Sequence, residues 1–417
     1  MSRQVAQTFL SAIMLCGCVA SVLSAADWPQ YRGPNHDAIS AETNWTTEST
    51  KEGPKQLWKT SVGTGNAPVS IKGGKLYTMG HAQGKDSVVC INIENGEIVW
   101  KHSYDSDTFA SMHEGGPAAA PAIDGDSVYT LGRGGDLFCL DATSGKVKWT
   151  LNTAKDFAAE LPFFGYTASP LVLGNNVIVQ VGGKGASTVA IDKTSGKLAW
   201  KSGDDPAAYA APVPFPAGKT THIAVLNGAG LVILDAVKGT EAARFPWDTP
   251  SPMNSHVNAA TPVIAENRAF VGSSYGMGCA MAEIDLAGGK AKQLWKNDDL
   301  STQYSSALQL NGYLYGFHSH GQNDGSGELR CLDAKTGDVK WSQKNPGLGA
   351  LICANGKLIM LTRVGELIVA DAAPAKYNEL ARAQVTGTLC RTEPILCDGK
   401  IYVRTSKGEV ICLDVKK

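Results

Sequence analysis

The residues of this chain that could do chemistry are polar and aromatic side chains placed just before short apolar segments. These segments open with a small residue, usually followed by proline, as in Ala67-Pro68-Val69 and Thr261-Pro262-Val263. Side chains of such mixed type could line a bowl for a small molecule, a glycan or a peptide, or could donate oxygen ligands to a cation. The candidate residues are His113, Glu114, Tyr166, Tyr209, His256, Asn258, Gln303, Tyr304, Arg391 and Glu393.

A purely structural role for the same residues stays open. Tyr and Asn side chains could hydrogen-bond between neighbouring units around a water-filled channel, because buried polar groups need partners. Only two of the candidates carry a carboxylate, and Arg391 beside Glu393 predicts an ion pair in place of a metal ligand. The sequence therefore provides binding candidates, but no catalytic residue and no metal site.

One short motif matches a catalytic pattern. Gly272-Ser273-Ser274-Tyr275-Gly276 has the Gly-x-Ser-x-Gly spacing of a serine nucleophile. Such a nucleophile needs a strand, a sharp turn and then a helix. Here the motif lies at a strand end within a run of strands, so we interpret it as a turn.

The elements that must position the candidates repeat along the chain. In each copy an apolar segment ends at Asp or Asn, and in most copies a Gly turn and then Trp follow, as with Asp141, Gly145 and Trp149. In four copies the spacing from the acidic or amide residue to the tryptophan is eight residues. The repeat anchors, at intervals of 38 to 51 residues, are Asn92, Asp141, Asp192, Asp235, Asp285, Asp333, Asp371 and Asp414.

Each copy contains four short alternating segments joined by Gly, Asn and Asp turns, as expected for antiparallel strands. Four strands per repeat, at a period of about 40–50 residues, predict an all-β fold, an eight-bladed β-propeller of four-stranded antiparallel blades. The recurring tryptophans should lie on the outer strands and fill the gaps between blades, where a large flat side chain buries most area. These residues are Trp58, Trp100, Trp149, Trp200, Trp295 and Trp341.

The last copy stops at Asp414 without an outer strand, and the missing piece lies near the other end of the chain. Gln56-Leu57-Trp58-Lys59-Thr60 resembles the outer strand of another copy, which contains Trp295. Residues 56–61 should therefore complete the last blade, which removes the open edges of a linear array. The resulting organisation is a signal peptide over residues 1–26, an irregular lead-in over 27–55 and one propeller over 56–417.

The first 26 residues predict export. A nearly uncharged apolar run ends at the small-residue cleavage site Ser24-Ala25-Ala26, and it is too short to favour a membrane span. A cut before Cys18, with a lipid on that cysteine, is the alternative. We expect a protein of the periplasm or cell envelope with no transmembrane span in the mature chain. Since Lys plus Arg is 38 and Asp plus Glu is 39, no basic excess favours a nucleic-acid partner.

Eight cysteines remain beyond the signal peptide, and four of them occupy one equivalent place in the repeat. These four are Cys90, Cys139, Cys331 and Cys412. Their recurrence favours small buried apolar side chains over disulfide partners. The sequence contains no Cys-x-x-Cys, so structural zinc and redox motifs are not expected.

The unit from Cys331 to Trp341, Cys-Leu-Asp-Ala-Lys-Thr-Gly-Asp-Val-Lys-Trp, resembles the tryptophan-docking repeat of the quinoprotein (PQQ) dehydrogenases. Their non-catalytic relatives share it, among them BamB of the outer-membrane β-barrel assembly machinery. The lead-in Asp-Trp-Pro-Gln-Tyr-Arg-Gly-Pro-Asn over residues 27–35 resembles the mature start of exported PQQ-like repeat proteins of planctomycete-type bacteria. The resemblance covers nearly the whole chain after residue 26 and implies the fold more than an activity.

In the dehydrogenases, the resemblance implies, PQQ lies in the central funnel beside a Ca²⁺ held by Glu, Asn and Asp. This sequence has no adjacent cysteines and no Asp just before the inner strands, which leaves Glu114, Glu393 and Asn258 as oxygen ligands. We therefore expect a BamB-like binding or scaffold module with an envelope protein as partner and no cofactor. The alternatives are an alcohol or sugar dehydrogenase that uses PQQ and Ca²⁺, and a glycan-binding module.

Overall fold

The computed structural model describes residues 27–110, 113–217, 220–249, 256–319 and 327–417. The predicted signal peptide, with Cys18, lies outside these ranges. Across the ranges that are described, no helix is both long enough and apolar enough to cross a membrane. The strands of these ranges form eight sheets, each built on four antiparallel strands that follow one another in sequence order in every sheet apart from the last.

The first four sheets, blades 1 to 4, follow one another along the chain. Blade 1 consists of β3 (Ser70–Lys72), β4 (Lys75–Ala82), β5 (Lys85–Asn92) and β6 (Ile98–Asp105). Blade 2 consists of β7 (Ala122–Asp124), β8 (Ser127–Leu131), β9 (Asp136–Asp141) and β10 (Val147–Asn152). Blade 3 consists of β11 (Leu171–Leu173), β12 (Asn176–Gly183), β13 (Ala186–Asp192) and β14 (Leu198–Ser202). Blade 4 consists of β15 (Val213–Ala217), β16 (Thr220–Leu226), β17 (Gly230–Asp235) and β18 (Glu241–Pro246).

The other four sheets complete the propeller. Blade 5 consists of β19 (Val263–Ala265), β20 (Arg268–Ser273), β21 (Gly278–Asp285) and β22 (Lys290–Asn297). Blade 6 consists of β23 (Leu308–Leu310), β24 (Tyr313–His318), β25 (Glu328–Asp333) and β26 (Val339–Gln343). Blade 7 consists of β27 (Gly349–Ala354), β28 (Lys357–Thr362), β29 (Glu366–Asp371) and β30 (Glu379–Gln384). Blade 8 consists of β31 (Ile395–Cys397), β32 (Lys400–Arg404), β33 (Glu409–Asp414) and β2 (Lys55–Ser61).

The predicted eight-bladed propeller, closed by a strand from the N-terminal end, is confirmed. β2 pairs antiparallel with β33, with Lys55 opposite Asp414 and Ser61 opposite Glu409. The closing strand begins at residue 55, one residue before the predicted start. Ser274 and Tyr275 lie in the turn after β20, so the Gly-x-Ser-x-Gly motif is a turn as predicted.

The outer-strand tryptophans bridge neighbouring blades. Trp100 of blade 1 donates its indole N–H to the Ala142 carbonyl of blade 2 at 3.0 Å, and the other five equivalents make the same type of bond at 2.9–3.3 Å. A methyl group added to Gly145, in the turn of blade 2, would lie 2.6 Å from the Trp100 ring. The glycine turn and the tryptophan of one repeat therefore contact different neighbours, because the tryptophan of each blade packs on the glycine turn of the next blade.

The cysteines of the repeat lie between two aromatic rings. In blade 1, Cys90 is paired across the sheet with Tyr77 on one side and Trp100 on the other. The Tyr77 hydroxyl donates to Ala142 O, the same carbonyl that Trp100 binds. All eight cysteines within the described ranges are buried and free of disulfides. A small side chain is needed there because the flanking rings occupy the space between blades.

The lead-in is more ordered than the irregular segment that the sequence predicts. It contains β1 (Ile39–Ser40), which pairs parallel with β27, and the short helix α1 (Glu48–Glu52). A second one-turn helix, α2 (Thr153–Asp156), follows the outer strand of blade 2, and the Asn152 side chain caps its first turn. No repeat pattern in the sequence predicts β1, because its two residues pair with a strand more than 300 positions away and not with a neighbour in a hairpin.

Candidate functional site

The candidate residues lie at one end of the central channel. Each innermost strand runs from this end, which we call the funnel face, toward the opposite end, where it turns into the second strand of its blade. The residues just before the innermost strands therefore converge on the axis at the funnel face. Tyr209 precedes β15, Gln303 and Tyr304 precede β23, and Arg391 precedes β31 in this way.

The lead-in covers the opposite end of the channel. Trp28 exchanges two backbone hydrogen bonds of 2.8 Å with Ile71 in β3, and Pro29 O accepts from Ile123 N in β7 at 2.8 Å. Across the axis, Ala38 O accepts from Cys353 N in β27 at 2.9 Å. The segment thus spans from blades 1 and 2 to blade 7 along the inner edges of their innermost strands.

Two side chains of the lead-in enter the channel. The Arg32 guanidinium, 2% exposed, donates to Ala307 O at 2.7 Å. The Tyr31 hydroxyl lies 3.5 Å from the Ser306 hydroxyl. The Tyr31 side chain lines both the funnel cavity and a small cavity on its other side, so it forms the partition between them.

The funnel holds a cavity of about 170 Å³. Seven of the eight blades contribute residues that precede their innermost strands, and the lead-in contributes Tyr31. The polar and aromatic residues that line it are Tyr31, Asn66, His113, Arg133, Phe164, Thr167, Ser169, Tyr209, Thr261, Gln303, Tyr304, Arg391, Thr392 and Glu393.

One side of the cavity is aromatic. The Phe164 ring lies 5.6 Å from the His113 ring in a stacked arrangement and 5.7 Å from the Tyr209 ring in an edge-on arrangement. Phe164 and Tyr209 pack together with Val257. Such a wall offers apolar contact to a ring-sized or branched aliphatic group.

The other side carries polar atoms without partners. Among the described residues, Arg391 Nε, Tyr304 Oη, Thr392 Oγ1 and Gln303 Oε1 are buried and have no hydrogen-bond partner. Gln303 and Thr392 are 6% and 4% exposed. Because an unpaired buried polar atom costs about 1–3 kcal/mol, this group of atoms favours an occupant that can pair with them.

Arg391 pairs with a different carboxylate from the one that the sequence suggested. The predicted ion pair with Glu393 is wrong: Arg391 Nε lies 3.8 Å from Glu114 Oε2, and the Arg391 guanidinium lies 6.0 Å from the Tyr304 ring centroid. Arg391 and Glu393 lie in the irregular segment before β31, whereas Glu114 reaches Arg391 from the connection before β7, two blades away.

Glu393 lies deep in the cavity near Tyr31. Burial raises the pKa of the Glu393 carboxyl above its usual range. Burial, with the nearby Glu393 as a smaller cause, also raises the pKa of Tyr31 to about 12. Both effects favour neutral groups at the floor of the cavity.

The field on the aromatic side of the funnel is positive. Burial first, and then the charges of Arg133 and Arg391, lower the pKa of His113 to about 4. Arg133 is 2% exposed, and its guanidinium donates to the Gly116 and Phe164 carbonyl oxygens. The neutral His113 and the cationic arginines favour an anion over a cation as occupant.

Four candidates do not line the cavity. Glu114 contacts it only through Arg391. Tyr166 is buried within blade 3, where its hydroxyl donates to Val181 O at 2.7 Å. His256 is 40% exposed and lies 3.2 Å from Asp248 Oδ1.

Asn258 has a structural role in place of a ligand role. Its amide nitrogen donates to Asn227 O and Trp247 O, both at 2.8 Å, and its oxygen accepts from Ser273 Oγ and Thr249 Oγ1. These four bonds use the whole hydrogen-bonding capacity of the amide. Asn258 therefore fixes the loops of blades 4 and 5 and has nothing left for a ligand.

Among the lining residues that were not candidates, three stand away from the starts of the innermost strands. Phe164 lies in the long connection between β10 and β11, Arg133 lies in the hairpin turn between β8 and β9, and Tyr31 belongs to the lead-in. None of them stands directly before an innermost strand, which was the rule used to choose candidates. The length of the connection that holds Phe164 was the one available signal, because long connections often carry function.

The residues present do not fit a calcium-assisted quinone site. Ca²⁺ takes about six to eight oxygen ligands. Of the two candidate carboxylates, Glu393 is at the cavity floor with a raised pKa, and Glu114 pairs with Arg391. Among the residues whose placement is described, no three His, Cys, Asp or Glu side chains come together as a metal site.

Comparison with known proteins places the chain among related propellers. A family model described as outer membrane protein assembly factor BamB matches residues 108–343 and 325–417. The assembly factor BamB of Moranella endobia is 24% identical over 311 residues, which are 69% of this chain and 72% of that protein.

Two solved structures show the same fold at low identity. BamB from Moraxella catarrhalis superposes with a TM-score of 0.61 at 17% identity, over 86% of this chain and 97% of that one. A quinohemoprotein alcohol dehydrogenase from Comamonas testosteroni superposes with a TM-score of 0.66 at 15% identity, over 94% and 80% of the two chains. The fold is therefore common to BamB and to an alcohol dehydrogenase, and it does not by itself identify a function.

Proposed function

This chain belongs to the PQQ-like β-propeller family described as outer membrane protein assembly factor BamB, and from that premise we propose that it is a protein-binding scaffold of the cell envelope without chemistry of its own. Export through the predicted signal peptide over residues 1–26 is part of this proposal. So is a role in assembling outer-membrane proteins or in another interaction between envelope proteins.

The observation that carries the proposal is an apolar loop beside the funnel. Leu161 and Phe163 are 42% and 47% exposed, and they lie next to Phe164, which enters the cavity. The Phe163 and Phe164 rings are 4.9 Å apart, so exposed and enclosed aromatic surface are continuous. Apolar surface that remains exposed at the rim of a cavity is typical of a site for a partner.

Site-specific photo-crosslinking in the native envelope tests the proposal. A photoreactive amino acid replaces Phe163 at the funnel face, and the matched control replaces Val237, which is 78% exposed in the turn between β17 and β18 at the opposite end. We expect Phe163 to yield a crosslink to an outer-membrane protein or to one of its assembly factors, and Val237 to yield none. Equal crosslinking at both positions, or none at Phe163, would contradict the scaffold function.

The oxidoreductase alternative has its own test. PQQ and Ca²⁺ are added to the purified protein, which is then separated by gel filtration. We expect no quinone absorbance with the protein, because its carboxylates do not converge on one ion. Quinone absorbance that elutes with the protein and bleaches on addition of an alcohol or a sugar would replace the scaffold proposal with a dehydrogenase.

The glycan-binding alternative rests on fewer residues than the sequence suggested. Of its three tyrosines, Tyr209 and Tyr304 line the cavity, whereas Tyr166 is buried within its blade. Footprinting with cell-wall sugars should protect neither Tyr209 nor Tyr304 if the funnel is a protein site. Protection of both by a sugar would favour the glycan.

A further inference from the structure

The funnel cavity has one mouth and limited room. The lead-in closes its far end at Tyr31, so an occupant must enter and leave at the funnel face. Its volume is about 170 Å³, and an engineered apolar cavity of about 150 Å³ is known to accept a benzene molecule. The space therefore suits one ring-sized group with a small polar group attached.

The unpaired atoms in the cavity define the polar group. Arg391 Nε, Tyr304 Oη and Thr392 Oγ1 can donate hydrogen bonds, and all three belong to residues that line the cavity. Three donors on residues of one cavity, one of them cationic, suit the oxygens of a carboxylate. Gln303 Oε1 is also unpaired and can only accept, so it could receive an amide N–H. Glu114 lies 3.8 Å from Arg391, and the cavity is lined by two arginines, Arg133 and Arg391, and by one carboxyl, that of Glu393, whose pKa is raised by burial.

We propose that the cavity binds the C-terminal residue of a partner polypeptide, whose carboxylate meets Arg391, Tyr304 and Thr392 and whose side chain packs against Phe164 and Tyr209. A chain end suits the site because it carries a carboxylate, an amide N–H and a side chain on a single Cα atom. It can also enter a cavity with one mouth while the rest of the polypeptide lies on the exposed apolar loop of Leu161 and Phe163. This inference rests on the scaffold function and gives the class of group that the scaffold recognises.

A pair of peptides tests the assignment. The probe is a fluorescent Ser-Gly-Ser-Gly-Phe peptide with a free C-terminal carboxylate, and its control is the same peptide with a C-terminal amide. Fluorescence anisotropy with the mature protein should give a dissociation constant at least about tenfold lower for the acid, because a hydrogen bond to a charged group contributes about 1.5–3 kcal/mol. Replacing the terminal Phe by Ser should also weaken binding, since the aromatic wall loses its partner.

Variants of the protein separate the site from general effects. Arg391→Gln should bring the affinity for the acid down to that for the amide and leave the amide unchanged. The matched control is Arg382→Gln on the outer strand β30, far from the funnel, where Arg382 pairs with Glu366 and Glu379. Far-UV circular dichroism and thermal melting should show that both variants keep the fold.

The outcomes distinguish this inference from the scaffold function. Equal affinities for acid and amide, or no binding of either, would overturn the recognition of a chain end. Competition by free 3-phenylpropanoate as strong as by the peptide would overturn it in favour of a small-acid site. The crosslink at Phe163 reports on the scaffold function independently of these results. It requires a partner at the rim, but it does not depend on whether the cavity holds an occupant.

Discussion

At the scale of single residues, the propeller depends on close approach between a tryptophan and a glycine of different blades. A methyl group at Gly96, Gly145, Gly196, Gly239 or Gly337 would come within 2.4–2.8 Å of a tryptophan ring atom. The same turns place glycine at positive φ, for example 70° at Gly145. Both the lack of space beside the tryptophan and the positive φ therefore exclude larger residues. The cost of the clash and the cost of the backbone strain can be measured separately.

Gly145→Ala should destabilise the protein more than Gly74→Ala. Both glycines have a positive φ, 70° and 74°, but nothing lies within 4 Å of a methyl group added at Gly74. Alanine in this backbone region costs about 1–2 kcal/mol, and forcing the Trp100 ring aside should add about 1–3 kcal/mol at Gly145 alone. Urea unfolding of the two variants measures the difference. Equal losses would show that the turn conformation, and not the tryptophan, requires glycine.

Asp141→Asn should lower the free energy of unfolding at neutral pH, and this difference from the wild type should disappear in acid. The Ser144 hydroxyl and backbone N–H both donate to the Asp141 carboxylate at 2.8 Å, which lowers the pKa of Asp141. A carboxyl whose pKa is lowered by folding stabilises the protein above its ordinary pKa, and this contribution disappears as the pH falls through the lowered value. Asparagine fits the turn, because Asn92 occupies the equivalent place in blade 1.

Unfolding of Asp141→Asn and of the wild type, followed from pH 7 to pH 2, checks this expectation. The exposed loop position Asp107 supplies the control Asp107→Asn, which should leave stability unchanged at every pH. A difference between Asp141→Asn and the wild type that stays constant down to pH 2 would refute the role of the charge.

The placement of single site residues could be predicted only in part. Tyr209, Gln303, Tyr304, Arg391 and Glu393 line the cavity because their distance from an innermost strand fixes their position at the axis. The same rule placed Tyr166 and Asn258 there, but their side chains turn into the blades, where backbone partners satisfy them. Side-chain direction in an irregular connection depends on tertiary partners that a repeat pattern does not contain.

At the scale of elements, closure of the ring depends on β2 and its tryptophan. β2 supplies the outer strand of blade 8, and Trp58 within it is 8% exposed. The Trp58 indole N–H donates to Ile93 O of blade 1 at 2.9 Å. One side chain thus joins the last blade to the first.

Trp58→Ala should cost about 3–5 kcal/mol of unfolding free energy, the usual range for a buried tryptophan. The neighbouring Leu57→Ala is the control, since Leu57 lies on the same strand and is 37% exposed. Chemical denaturation followed by tryptophan-independent far-UV circular dichroism gives both values. Similar small losses for the two variants would mean that backbone pairing alone closes the ring.

The number of blades and the closing strand were predictable because both depend on local spacing. Each Asp-type turn fixes the distance to the next strand, so the repeat survives where Phe245 replaces tryptophan in blade 4. The lead-in was not predictable, since β1 pairs with β27 and Trp28 pairs with Ile71 without any hairpin between them. Such long-range pairs leave no period in the sequence.

At the scale of the whole molecule, the lead-in connects distant blades across the axis. Its backbone bonds reach Ile71, Ile123 and Cys353, which belong to blades 1, 2 and 7. Glu42 also accepts backbone N–H bonds from Asp398 and Gly399 in blade 8. The segment therefore ties the inner edges of the ring together and makes the funnel a cavity with a floor.

Trp28→Ala should release the lead-in and speed hydrogen exchange at the amides that it protects. Trp28 is 1% exposed and packs on Gly33. Exchange at Ile71 and Ile123 should rise at least about tenfold, while the Val89 amide in the middle of β5 should stay protected, because local opening needs less free energy than global unfolding. An equal rise in the exchange rate at all three amides would indicate general destabilisation, and it would contradict the idea that the lead-in protects only the strands that it contacts.

The pairing of β2 with β33 has a consequence for how the protein is made. β2 is among the first strands of the chain to be synthesised and its partner β33 is made much later, so the nascent chain carries an unpaired strand until β33 is made. Contacts of such long sequence separation form slowly. A chain that is interrupted before β33 keeps two unpaired strand edges, which proteases and chaperones of the cell can recognise as a sign of an unfinished protein.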